Sequence, residues 1–179
     1  MISLQYRHEW EHEISVFDVL CLRIAGGGIT VNSCSEGIES PEIFIEDGDI
    51  TVTSTDDGIN ACGTETANGS LPGVTINGGT VTLLNPSGRD TDGIDSNGNI
   101  NINGGLVYIS LVGDGSNCAL DYGSENGGIC RINGGTVVAC GGLSPAIVPH
   151  CRTNIILDQD LLLDGLLAIY RRNAPPKQH

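Results

Sequence analysis

Apolar and polar positions alternate with a period of two in Val74-Thr-Ile76, Ile100-Asn-Ile102 and Cys130-Arg-Ile132. That period predicts strands with one face turned inward. Each run closes on a glycine turn, Ile76-Asn-Gly-Gly79, Ile102-Asn-Gly-Gly105 and Ile132-Asn-Gly-Gly135, with Ile45-Glu-Asp-Gly48 and a looser Ile24-Ala-Gly-Gly27 as earlier copies. A second short apolar strand follows every turn, at 29–31, 50–52, 81–83, 107–109 and 137–139. A third motif comes next: Glu36-Gly-Ile-Glu39, Asp57-Gly-Ile-Asn60, Asp92-Gly-Ile-Asp95 and the degraded Cys118-Ala-Leu-Asp121.

The last glycines of successive turns stand 21, 31, 26 and 30 residues apart. A repeat of that length cannot bury its apolar face alone, so it implies stacked units. Hairpins could use the six Asn-Gly steps (at Asn68, Asn77, Asn97, Asn103, Asn126 and Asn133) as positive-φ corners. A hairpin ladder does not explain three unlike strands recurring in one order. Parallel stacking does, with each coil about 4.8 Å from the next and inward Ile and Val in continuous ladders. The expected fold is therefore all-β, a right-handed parallel β-helix of about five coils. The insertion between Gly63 and Gly73 accounts for the longest repeat.

Three segments follow. Residues 1–23 carry no repeat, residues 24–142 form the solenoid, and residues 143–179 lose the glycine turns and end in a disordered Pro-rich basic tail. Helix is expected at most in the two flanking segments. Between residues 24 and 142 there are 15 acidic residues against Arg89 and Arg131, a charge of −13. That excludes nucleic acid, whose phosphates need clustered Lys and Arg, and favours cations or basic partners. The apolar runs at 16–24 and 161–170 are broken by Asp18, Arg23 and Asp164, so no transmembrane segment is expected. Glu9, Glu11 and Glu13 stand where a signal peptide would need basic and apolar residues. Seven cysteines without ligand spacing read as small apolar residues of the coils.

Stacking the third motif predicts two acidic ladders, one of Glu36, Asp57 and Asp92, the other of Glu39, Asn60, Asp95 and Asp121. Like charges about 5 Å apart repel unless protonated, spread into solvent or bridged by a cation. Oxygen ligands beside glycine carbonyls select hard cations, calcium above all. The expected site gathers Asp90, Asp92, Asp95 and Asn97 with Asp56, Asp57 and Asn60 from the coil beneath. The alternative is that these are solvated turn residues. His8-Glu-Trp-Glu-His12 matches a zinc-protease motif by letter, but no third ligand follows, and it is taken as chance. The solenoid has neither His nor Lys, so a nucleophile lacks a base. For a calcium-dependent lyase the single candidate base is Arg89. Thr51-x-Thr53 and Thr80-x-Thr82 hint at ice binding, but Tyr108 and Val138 interrupt the ladder.

The glycine turn followed by Asp-Gly-Ile-Asp and Asn-Gly, most complete over residues 74–108, resembles the carbohydrate-binding domain-containing proteins of anaerobic bacteria. The likeness runs from about residue 24 to 142. It implies a secreted or surface-attached, non-catalytic parallel β-helix that holds calcium between coils and binds plant-type polysaccharide, cellulose or acidic pectic sugars. The family's calcium positions map onto Asp57, Asp92 and Asp95, and further onto Asp56, Asn60 and Asp121. Sugar contacts are expected from Asp92, Asp95, Arg89, Tyr108 and Tyr122. The alternatives are a calcium-dependent pectate-lyase-like enzyme and a structural surface protein or adhesin. Exposed coil edges would favour homo-oligomers.

Overall fold

The computed structural model describes residues 14–15, 21–86, 91–111, 117–135, 137–139, 149, 155–157 and 160. It falls into two compact units, Met1–Gly135 and Thr136–His179. In the first, the strands in chain order are β1 (Ile14–Ser15), β2 (Leu22–Ile24), β3 (Gly28–Cys34), β4 (Ile38–Glu39), β5 (Glu42–Ile45), β6 (Asp49–Ser54) and β7 (Ile59–Ala61). There follow β8 (Gly73–Ile76), β9 (Thr80–Asn85), β10 (Ile94–Ser96), β11 (Asn99–Ile102), β12 (Leu106–Leu111), β13 (Leu120–Tyr122) and β14 (Cys130–Ile132). A 3-10 turn at Ser124–Asn126 joins the last two. In the second unit β15 (Val137–Ala139) pairs in parallel with β16 (Ile155–Leu157).

Every third strand of the first unit joins the same sheet. The first sheet runs β1-β4-β7-β10-β13, the second β14-β11-β8-β5-β2 and the third β12-β9-β6-β3. Among the described residues every strand pairing in these sheets is parallel. The fold is a parallel β-helix, as the periodicity predicts. Strand pairing also reaches ahead of residue 24, since Ile14 pairs with Ile38 and Leu22 with Ile43.

Register places like beside like. Ile38, Ile59, Ile94 and Leu120 form one inward ladder of the first sheet. In the second sheet Ile24, Ile45, Ile76, Ile102 and Ile132 form another. The third contributes Ile29, Ile50, Val81 and Val107. In the middle coils these side chains are sealed: Ile45, Ile50, Ile59, Ile76, Val81 and Ile94 are 0 % exposed. Burying each stabilises by roughly 1.5–3 kcal/mol. Members towards the ends, such as Ile29, Val107, Leu120 and Ile132, are only partly buried.

The corners are built in two ways. At the Ile-Asn-Gly-Gly turns the positive φ belongs to the second glycine, +79° at Gly79 and +81° at Gly105, whereas Gly69 and Gly127 take it directly after Asn68 and Asn126. The asparagines instead bond to one another: Asn133 Nδ2 donates to Asn103 Oδ1 (2.8 Å), Asn103 Nδ2 to Asn77 Oδ1 (2.8 Å) and Asn77 Nδ2 to Glu46 Oε2 (2.7 Å). Glu46 closes the ladder on its other side by pairing with Arg23, which also lies over the Phe44 ring at 4.6 Å. At Asp-Gly-Ile the glycine is needed for space rather than φ. A Cβ on Gly58 would lie 2.7 Å from the Gly93 carbonyl oxygen and 3.2 Å from Leu83. The inserted residues before β8 form a loop tied by buried Thr66, whose hydroxyl bonds to Asn68 Oδ1 at 2.6 Å.

Gly79 and Gly127 share one backbone conformation, at +79° and +82°, but differ in neighbours. A Cβ on Gly79 meets the Gly48 carbonyl oxygen at 2.5 Å, whereas nothing lies within 4 Å of one on Gly127. Gly127→Ala is expected to cost about 1 kcal/mol from left-handed strain alone. Gly79→Ala should lose at least that much again, because one coil must move off the next. Urea unfolding of the two variants measures the difference, and equal losses would contradict coil contact as the limiting term.

Candidate functional site

The third motif is held by backbone bonds between coils, Gly37 N to Asp57 O (2.9 Å), Gly58 N to Asp92 O (3.0 Å) and Gly93 N to Cys118 O (3.0 Å). Glu36, Asp57 and Asp92 are therefore stacked at one corner of the first sheet. The neighbouring outward ladder follows strand register: Glu39 pairs with Asn60, Asn60 with Asp95, and Asp95 with Asp121. Both ladders predicted from the repeat are present.

The carboxylates converge in two groups. Oxygens of Glu36, Asp56 and Asp57 lie within 4.8 Å of one another, and so do those of Asp92, Asp95 and Asp121. Asn60 stands between them in register and bonds to the Glu36 carboxyl. Glu36 belongs to the predicted ladder but not to the predicted ligands. The signal for it was its place, equivalent to Asp57 and Asp92. Asn97 Nδ2 donates to the Gly63 carbonyl at 2.9 Å. Arg89 and Asp90 lie outside the described residues. Tyr108 and Tyr122 are not brought together: Tyr108 is on β12 of the third sheet and Tyr122 on β13 of the first.

Two of the aspartates also hold the coils, a role the sequence pattern did not reveal. Asp57 Oδ1 accepts the Asp92 backbone N–H at 2.8 Å, and Asp92 Oδ1 accepts that of Cys118 at 2.6 Å. Each carboxylate thus reaches one coil onward and takes up an amide.

Burial and crowding work against ionisation here. Burial, then the charge of Asp56, pushes Glu36 up to about 7, against an opposing bond from Asn60. Burial also raises Asp57 to about 7, with Glu36, Asp95 and Asp56 adding to it and the Asp92 N–H opposing. Asp95 rises to about 6 through burial and the charges of Asp121 and Asp92. Asp95 acts on both Glu36 and Asp57, so the two groups share one field. Glu36 Oε2 and Asn60 Oδ1 are buried with no hydrogen-bond partner among the described residues. Orphaned oxygens beside crowded carboxylates fit a hard divalent cation, which would supply the missing positive charge.

These carboxyls bind protons more tightly folded than unfolded, so their stabilising contribution is complete below about pH 4 and is lost as pH rises towards 7. In chelator, the melting temperature should fall between pH 5 and pH 8. Asp57→Asn keeps an acceptor for the Asp92 N–H and removes a charge, so it should melt higher than wild type at pH 8 and flatten the fall. Asp57→Ala, which loses the acceptor, should melt lower. Calorimetric melting checks all three, and a wild type that gains stability over this range would refute the crowding argument.

No curated protein and no solved structure matches the chain. No helix among the described residues is long and apolar enough to cross a membrane. A model of the carbohydrate-binding domain-containing protein family matches residues 3–144. That span takes in both acidic groups and all three stacked sheets, and the chain belongs to the carbohydrate-binding domain-containing protein family.

Proposed function

We propose that the protein is a non-catalytic, calcium-dependent binder of acidic plant cell-wall polysaccharide, working outside the cell or at its surface. The observation that carries this is the convergence of Asp92, Asp95 and Asp121, beside Glu36, Asp56 and Asp57, on one corner. A body of charge −13 repels polygalacturonate, and Arg89 and Arg131 cannot reverse that field. Calcium shared between these carboxylates and a uronate removes the conflict, because the ion becomes the largest local charge. Asp95 and Asp121 are the ligands best placed to meet a polymer, since they face outward from the first sheet and Asp121 is exposed. Asp57 and Asp92 divide their oxygens between the cation and the next coil's amide. The protein's part is to hold the carboxylates at fixed spacing and leave the uronate to complete the ion's coordination.

Calcium titration should give measurable heat, and a hundredfold excess over Kd should stabilise the fold by about 2.7 kcal/mol. Retention of the chain by immobilised polygalacturonate should require calcium, disappear in chelator and fall sharply in Asp95→Asn. Polygalacturonate binding that survives chelator would sink the calcium bridge. Release of unsaturated product at alkaline pH would turn the reading towards a lyase.

A further inference from the structure

All six Asn-Gly steps share the same following residue, so their local chemistry is closely alike until the fold separates them. Asparagine before glycine is thermolabile, because a glycine amide nitrogen, unhindered by a Cβ, can reach the side-chain carbonyl. Two brakes oppose that attack: a hydrogen bond that holds the glycine N–H, and bonds that hold the asparagine side chain. At three steps the first brake is set. Gly69 N donates to Thr66 O (3.0 Å), Gly127 N to Ser124 O (3.1 Å) and Gly98 N to Ser96 Oγ (3.1 Å). In the corner column it is not. Among the described residues the N–H groups of Gly78 and Gly104 make no hydrogen bond. That of Gly134 has only the Ile102 carbonyl at 3.4 Å, which the Asn133 N–H already holds at 2.7 Å. The column faces water, with Asn77, Asn103 and Asn133 all exposed. There the side-chain bonds are the remaining brake, and they are unequal. Asn77 and Asn103 each donate and accept, whereas Asn133 donates to Asn103 and, among the described residues, accepts nothing.

We propose that this column is a self-modifying site, in which Asn133 deamidates first and the change then passes to Asn103 and Asn77. Gly134 N forms a bond to Cγ of Asn133, the Cγ–Nδ2 bond breaks, and Nδ2 departs as ammonia with the proton of the Gly134 N–H. Water then adds to either carbonyl of the succinimide and opens it to an aspartyl or an isoaspartyl linkage. No oxidant and no second protein takes part. The new carboxylate has no hydrogen to give. Asn103 Oδ1 loses its donor and meets a negative charge in its place, so Asn103 is held on one side only, as Asn133 was before it. Its own reaction frees Asn77 in the same way. The isoaspartyl product adds a methylene to the main chain where there is no room for one, because a Cβ on Gly134 would lie 2.3 Å from the Asn103 carbonyl oxygen. Each step adds negative charge to the corner and loosens one coil contact, irreversibly and in a set order.

The test incubates the folded full chain in mildly alkaline heavy-oxygen water and follows each Asn-Gly peptide by mass spectrometry, with a parallel arm unfolded in urea. Folded wild type should convert Asn133 first, Asn103 after a lag and Asn77 last. Asn68, Asn97 and Asn126 should all be slower than Asn133. In urea the three column residues, each within Ile-Asn-Gly-Gly, should convert at one rate. Asn133→Asp should abolish the lag and speed Asn103 about fivefold, the rate equivalent of one hydrogen bond. Asn133→Gln keeps a donor at the end of the column and cyclises more slowly, so it should preserve Asn103 longer than wild type does. Unchanged circular dichroism shows that the variants are folded. Conversion of the three column residues together, or an Asn103 rate indifferent to Asn133→Asp, overturns the proposal. So does first reaction at Asn68, Asn97 or Asn126, or a urea arm that reproduces the folded order.

Discussion

Parallel stacking forces each residue to lie about 4.8 Å from its counterpart in the next coil. Everything else in the first unit follows from whether a side chain tolerates its own likeness at that distance. Isoleucine does: Ile45, Ile76 and Ile102 stack in register, and identical branched shapes nest. Asparagine does so more specifically. An amide carries both a donor and an acceptor, so Asn77, Asn103 and Asn133 satisfy one another in sequence. Carboxylates do not. Asp95 beside Asp121 places two acceptors of the same charge face to face, and that repulsion adds to burial in raising the Asp95 carboxyl. The core, the corner ladder and the candidate metal centre are three answers to one spacing.

Much of the fold was legible because that spacing leaves a repetitive trace. Period-two alternation at Val74-Thr-Ile76 and its equivalents coincides with β8, β11 and β14. The motif order alone assigns every third strand to one sheet. The division of labour inside a corner was less visible. Asn-Gly-Gly reads as a turn, but the sequence does not say that Gly79 takes the left-handed φ while Asn77 bonds to the coil before and to the coil after. Nor does it announce β1. Ile14 and Ser15 lack a glycine turn before them and are recognisable as part of the stack only through their pairing with Ile38 and Glu39.

The candidate site was legible as a pair of ladders and not as two groups. Asp56 and Asp57 are adjacent in sequence to nothing that marks Glu36 as their third partner; the coil geometry supplies it. Asn97, expected as a ligand two residues after Asp95, gives an amide hydrogen to the Gly63 carbonyl. Tyr108 and Tyr122, both expected as sugar contacts, lie on different sheets. They are separated by a corner, since residues fourteen apart fall on different sheets when a repeat is about twice that length. Linear proximity misleads in a solenoid. Distance is measured in whole coils.

The asparagine ladder has a direction. Asn77 and Asn103 each give a hydrogen to the coil before and accept one from the coil after, so any number of Asn-bearing coils could be spliced between Asn77 and Asn133 without disturbing the pattern. Glu46 cannot be repeated in that way. It only accepts, from Asn77 on one side and Arg23 on the other, so it is the point where two opposed donors meet. The ladder position one coil earlier is Ala25, which offers nothing to bond. The sequence therefore carries punctuation as well as period: asparagine reads as a link that permits extension, and the Glu46–Arg23 pair as a full stop at the end from which the series begins.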